Sequence, residues 1–395
     1  MKRKIVSAAV AISAAILLVS CDSAKTADLV STLEEATQGV QEEEAEPVTQ
    51  EEGGSVTMNV APITQDGGDA QEPAPEAAQP QKEESKEEEN ASGGSPGYKY
   101  NEDGKRIVDL ILFMGQSNMS GAGGNAKYAP KVPYEEGFEF RAISDPTRLY
   151  QITEPFGVNE NNLNAIMDLP GAKRGSLVSS FANTYFEKTG VPVVAVSASA
   201  GATDTAFWMT PAVSADYTER LKRAIVWLEN DKYEIRNKYV VWLQGESDAV
   251  DDLSAETYEE NMNNIIRPLF IEGIQKVFFI TPGRTITKKD YFSQIISAQI
   301  KMSKDSGYYA LGTTVLSGVS TEYMVDEWHY NQTVLNLVGK ECAQSVAYYS
   351  NTGREACLYN YRNGDTYIPD GNDYDDDIRV EPLDLNNCGL KTDLE

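Results

Sequence analysis

The chain carries a single histidine among 395 residues, so any proton transfer that needs an imidazole must use His329. Asp326 stands three residues before it. When a loop curls tightly over that spacing, the carboxylate accepts a hydrogen bond from one ring nitrogen and fixes the tautomer. The other nitrogen is then left to take a proton from a hydroxyl. A hydroxyl is a poor nucleophile until a base removes that proton, and histidine, with an ordinary pKa of about 6.5, does this best near neutrality. Ser117 is the hydroxyl best placed for the partnership. It sits in Gly115-Gln116-Ser117-Asn118-Met119, directly after an apolar run, where a strand is expected to turn into a helix. The backbone N–H groups of such a turn favour negative charge. The chemistry these three residues could perform is acyl transfer to and from a serine.

Residues so far apart in sequence need a scaffold that gathers them. Ile107–Met114, Val191–Ser197, Lys238–Leu243, Lys276–Thr281 and Tyr308–Val315 read as strands. Most are near-continuous apolar runs, as expected for strands covered on both faces. Helical spacing occupies Leu177–Lys188, Asp216–Asn230, Ser254–Ile271, Lys289–Asp305 and Gln332–Ser350, with Gly190 as a stop and Ser254 as an N-cap. Five alternations predict an α/β fold of three layers, a five-stranded parallel sheet between two layers of helices. In such sheets the functional groups gather at the carboxyl ends of the strands. There the sequence places the Ser117 block, Ala198-Ser199-Ala200-Gly201-Ala202-Thr203-Asp204, Gln244-Gly245-Glu246-Ser247-Asp248 and Asp326-Glu327-Trp328-His329. The stretch from about Ala122 to Gly175 has little regular pattern and several aromatics, and is expected to shape the substrate cleft.

Gly-Gln-Ser-Asn-Met, a glycine after the second strand, Trp-x-Gln-Gly-Glu-Ser-Asp and Asp-x-x-His occur in that order from about Ile107 to Ser350. Together they resemble the SGNH hydrolase superfamily, a flavodoxin-like fold, and within it the sialate O-acetylesterase-like and carbohydrate acetylesterase branch. The resemblance implies an esterase that removes O-acetyl groups from carbohydrates through an acetyl-enzyme, without a metal or organic cofactor. It makes Ser117 the nucleophile, with Asp326 and His329 completing a triad. Ser117, Gly201 and Gln244 would furnish the oxyanion hole. Two departures stand out. Gln244 replaces an Asn found across the wider superfamily, and Ala202 stands where the branch carries a second consecutive glycine. Two other readings stay open: an acetyl transferase on the same fold, and a non-catalytic carbohydrate-binding lipoprotein.

Other residues admit two readings each. Gly201 also suits an ordinary turn, and Gln244 a structural hydrogen-bonder. Gln116, Asn118, Glu246 and Trp208 are candidate substrate contacts. Asn118 equally supports the first turn, Glu246 and Asp248 either form a paired acid and base, as in a glycosidase, or organise their loop, and Trp208 and Trp328 either line a sugar cleft or pack in the core. The run from Asp370 to Asp377 lacks the spacing of a calcium loop and reads as a solvated acidic tail.

Composition divides the chain. Residues 22–97 hold 19 acidic and 3 basic residues and no Phe, Trp or Tyr, so they cannot bury enough apolar surface to offset chain entropy. Residues 21–97 are therefore expected to be a disordered acidic linker. Before it, Lys2-Arg3-Lys4, a short apolar run from Ile5 to Val19, and Leu18-Val19-Ser20-Cys21 compose a signal peptide over 1–20. The last four residues resemble a bacterial lipobox, which implies a diacylated Cys21 and a lipid-anchored protein of the cell envelope, facing outward. Residues 98–352 are the expected catalytic domain and 353–395 a C-terminal extension. A net charge of −27 disfavours nucleic acid and anionic membrane surfaces as partners. One histidine and no Cys-x-x-Cys disfavour zinc. Among Cys342, Cys357 and Cys388 at most one bridge can form, and Cys342–Cys357 and Cys357–Cys388 are both open. The sequence does not fix which glycan is the substrate, or the oligomeric state.

Overall fold

In the computed structural model of the protein, the described residues are 99–229, 232–370 and 379–380. The expected signal peptide, Cys21, the acidic linker, Cys388 and nearly all of the acidic run lie outside them. Among the described residues, ten strands and eight helices follow in chain order: β1 (Arg106–Gly115), α1 (Ser117–Ser120), β2 (Gly137–Phe140), β3 (Leu149–Gln151), α2 (Val178–Thr189), β4 (Val193–Ser199), α3 (Thr205–Trp208), α4 (Pro211–Glu229), β5 (Tyr233–Leu243), α5 (Glu246–Val250), α6 (Ala255–Ile271), β6 (Lys276–Ile280), α7 (Ser293–Asp305), β7 (Tyr309–Thr313), α8 (Gln332–Thr352), β8 (Cys357–Asn360), β9 (Asp365–Tyr367) and β10 (Arg379–Val380).

The central sheet runs β3-β2-β4-β1-β5-β6-β7. All pairings are parallel except β2 with β3, which is antiparallel. The three-layer α/β expectation holds, and the strand count changes from five to seven. The five expected strands are all present. The two added strands lie in the stretch expected to lack regular pattern, and at four and three residues they are too short to show a period.

Why the long strands are apolar throughout is visible in β1. Val108, Leu110, Leu112 and Met114 belong to one core cluster with Trp208, Tyr217 and Leu221 of α3 and α4, and Tyr258 and Ile295 of α6 and α7. Ile111 and Phe113 belong to the opposite cluster with Phe181 and Tyr185 of α2 and Val334, Leu335 and Val338 of α8. Side chains alternate between faces, and each face is roofed by helices. Each large apolar side chain buried this way contributes about 1.5–3 kcal/mol.

β8, β9 and β10 form a second, three-stranded sheet. Leu358 and Tyr367 join the first core cluster and Tyr361 the second, so the start of the C-terminal extension packs with the preceding domain. Cys342 is a buried free thiol, which removes the Cys342–Cys357 pairing.

Candidate active site

The turn that carries Ser117 is built by close backbone approach. Gly115 ends β1 with φ 143, and a Cβ there would stand 2.0 Å from the Leu243 carbonyl oxygen of β5. Only glycine allows the two strand ends to meet so closely. The Gln116 amide then donates to Leu243 O (3.0 Å), and Ala200 donates to Gly115 O (3.0 Å). Ser117 opens the one-turn helix α1, which Gly121 ends in the left-handed conformation.

Asp-x-x-His curls as its spacing suggests. Asp326 Oδ1 accepts from the Trp328 and His329 amides (both 2.9 Å), and Oδ2 lies 2.8 Å from His329 Nδ1. Burial works against the Asp326 charge. The histidine ring and the two amides outweigh it and hold the carboxyl below its ordinary value. His329 Nε2 is buried and carries no hydrogen bond, so Ser117 is not bonded to it here. Such bonds are often loose before substrate binds.

Asn118, next to Ser117, ties the two turns together. Its Nδ2 donates to Trp328 O (3.2 Å) and to Glu246 Oε1 (2.9 Å), and its Oδ1 accepts from the Tyr330 amide (3.4 Å). It therefore grips the backbone on both sides of His329. Glu246 is buried, and burial pushes its carboxyl above the ordinary range. Gln116 Oε1 accepts from the Gly245 and Ser247 amides (3.4 and 3.3 Å), linking the first turn to the third cluster. Asn118, Glu246 and Gln116 thus knit the site's frame.

Two expectations are corrected. Gln244 is fully buried, and its amide nitrogen donates to Thr203 O (3.0 Å) and to Asp248. Both N–H bonds are spent, so it has none to offer an oxyanion. Trp208 is fully buried, packs on Trp242 with ring centroids 5.4 Å apart, and donates to Thr203 Oγ1 (3.1 Å). It is a core residue and not a substrate contact.

Gly201 reaches Ser117, since a Cβ on it would lie 3.7 Å from Ser117 Cβ. Its N–H, however, donates to Asp168 Oδ1 at 2.6 Å. Asp168 Oδ2 accepts from the Ser120 hydroxyl (2.8 Å) and pairs with Lys173 Nζ (3.0 Å). Lys173 also donates to the Ser199 hydroxyl (2.7 Å), and burial lowers its pKa. Sequence reading did not find Asp168 or Lys173. They come from the stretch before α2, with no motif to mark them. Ala202 adopts φ 55, the left-handed conformation a glycine would take without strain.

A family model described as carbohydrate esterase, sialic acid-specific acetylesterase, matches residues 107–348. No curated protein matches the chain. Among solved structures, an Arabidopsis thaliana protein is 21% identical with a TM-score of 0.44, covering 60% of this chain and 97% of its own. The psychrotrophic esterase EstA from Pseudoalteromonas is 14% identical with a TM-score of 0.34, covering 62% and 100%. A carbohydrate acetylesterase from Xanthomonas citri is 16% identical with a TM-score of 0.39, covering 63% and 58%.

Proposed function

Since the chain belongs to the carbohydrate esterase family of sialic acid-specific acetylesterases, we propose that it removes O-acetyl groups from carbohydrates with Ser117 as nucleophile, His329 as base and Asp326 as the acid that orients it. The observation that carries this reading is the state of the sole imidazole. Asp326 occupies its Nδ1 at 2.8 Å, its Nε2 is unbonded, and Asn118 ties its loop to the Ser117 turn.

Ser117 Oγ attacks the acetyl carbonyl carbon as its proton passes to Nε2. The carbonyl π electrons move to oxygen, and the Ser117 and Gly201 amides receive that charge once Asp168 yields the second of them. Collapse breaks the bond to the sugar oxygen, which leaves with the proton from Nε2. Water then attacks the acetyl-serine, giving its proton to the same nitrogen, and acetate departs with Ser117 restored.

Release of nitrophenol from nitrophenyl acetate tests the assignment. Ser117→Ala and His329→Ala are each expected to lower kcat by about 10³-fold or more. Equal rates in wild type and both variants would end the esterase reading.

The same reading puts the enzyme outside the cytoplasm, held by a lipid at Cys21, on the support of Leu18-Val19-Ser20-Cys21. Labelled palmitate should enter the wild-type chain in cells and not Cys21→Ser; label retained by that variant would refute the anchor.

A further inference from the structure

Asp168 Oδ1 holds the amide that the proposed oxyanion needs. It accepts from Gly201 N–H at 2.6 Å and lies 3.2 Å from where a Gly201 Cβ would stand, a point itself 3.7 Å from Ser117 Cβ. An acyl oxygen that is to receive this amide must displace the carboxylate. The backbone of Asp168 leaves little freedom to withdraw. Its N–H donates to Asn161 Oδ1 and its carbonyl accepts from Asn161 Nδ2, both at 3.0 Å. Two residues earlier, Ile166 is held at its amide by Asp216 (3.0 Å) and at its carbonyl by Arg220 (3.4 Å). Release of Gly201 therefore falls to rotation of the Asp168 side chain.

The second carboxylate oxygen is already seated where such a rotation leads. Oδ2 lies 3.0 Å from Lys173 Nζ and accepts from the Ser120 hydroxyl (2.8 Å). Buried Lys173 also donates to the Ser199 hydroxyl (2.7 Å), the Ser199 carbonyl (3.2 Å) and Ser120 Oγ (3.4 Å). Ser120 closes α1, the turn that Ser117 opens, and Ser199 ends β4 two residues before Gly201. One ammonium thus joins the segments that carry both proposed oxyanion donors to the carboxylate between them. The other charges near Lys173 are engaged elsewhere. Arg220 pairs with Asp216 (3.1 Å), and Glu154 accepts from the Ser176 and Ser179 hydroxyls (2.8 and 2.9 Å). Burial works against the ammonium, and Asp168 favours it.

We propose that Lys173 is a positioning residue of the oxyanion hole, holding Asp168 by its far oxygen and drawing the carboxylate off the Gly201 amide when a substrate oxygen arrives. A buried charge that gives up one hydrogen bond needs another partner at once. An ammonium and a hydroxyl already in contact supply it, and the ammonium also offsets the carboxylate's repulsion of the developing oxyanion. The role rests on the esterase reading above, with Gly201 as a donor, and the test separates the two.

The full chain is assayed on nitrophenyl acetate as wild type, Lys173→Gln, Asp168→Asn and the double variant. In the wild-type background, Lys173→Gln is expected to lower kcat by about tenfold or more with KM within about twofold, because an unpaired carboxylate keeps the amide and opposes the oxyanion. In the Asp168→Asn background the same change should move kcat by less than about threefold, whereas a merely structural lysine would cost the same in both. Equal losses in the two backgrounds, a loss confined to KM, or no loss in either overturns the role while an active wild type leaves the esterase reading standing. The comparison within the Asp168→Asn background holds even where Lys173→Gln alone does not fold, since the double variant leaves neither charge of the pair behind. A fall of about tenfold there also overturns the role. A wild-type chain inert to the ester overturns the esterase reading and the role with it.

Discussion

At Gly201, the proposed oxyanion donor, a resident carboxylate and a developing oxyanion would compete for the same amide. Asp168 accepts that N–H at 2.6 Å, and its charge opposes any negative oxygen forming beside Ser117. Lys173 offsets part of the repulsion from 3.0 Å away. Asp168→Asn keeps the shape and removes the charge. The expected outcome is a rise of about three- to tenfold in kcat on nitrophenyl acetate, because a neutral oxygen holds the amide less strongly than a carboxylate. The melting temperature should fall in the same variant, since Lys173 would be left buried without its counter-charge. A drop in kcat at unchanged KM would show instead that the carboxylate is needed to hold Gly201 in place. How far such residues are legible in sequence depends on how local their contacts are. Asp326 and His329 were readable because three residues of spacing close one turn. Asp168 was not, because its partner lies 33 residues away across a stretch without period. Gln244 was misread because its position in a motif does not say where its two N–H bonds are spent.

At the scale of elements, legibility followed burial. Strands β1, β4 and β6 are roofed on both faces, so their sequences are nearly unbroken apolar runs, and pattern reading located them to within about two residues. β2 and β3 escaped because their place in the sheet comes from pairing with β4 and with each other, not from a period of their own. α6 was readable to its first residue, since Ser254 accepts from the Thr257 amide as an N-cap should. The turn after β4 carries a cost that is also visible in sequence. With Ala202 in place of glycine, the backbone still takes φ 55, and a left-handed alanine costs about 1–2 kcal/mol. That the geometry persists shows how firmly the neighbouring contacts of Gly201 and Thr203 dictate it, Thr203 being held by its own hydroxyl bond to Ala200 O (2.8 Å).

Across the whole molecule, one buried carboxyl on α8 ties stability to pH. Glu341 on α8 is fully buried, and burial pushes its carboxyl from 4.5 up to about 8, against the Thr313 and Tyr361 hydroxyls. The folded state then binds a proton that the unfolded chain has already released. Stability from this group is complete below pH 4.5 and is lost as pH rises toward 8. Each pH unit in that window costs about 1.4 kcal/mol. Melting temperature measured from pH 5 to 8 should decline in wild type, and Glu341→Gln should flatten the decline. An unchanged slope would show that Glu341 stays ionised in the fold. The proposed base is the imidazole of His329. Because the chain holds only one such ring, the nuclear magnetic resonance spectrum of the unlabelled enzyme contains one imidazole's worth of signals. A proton on Nδ1, facing Asp326 at 2.8 Å, would report from inside the proposed catalytic centre without any engineered probe.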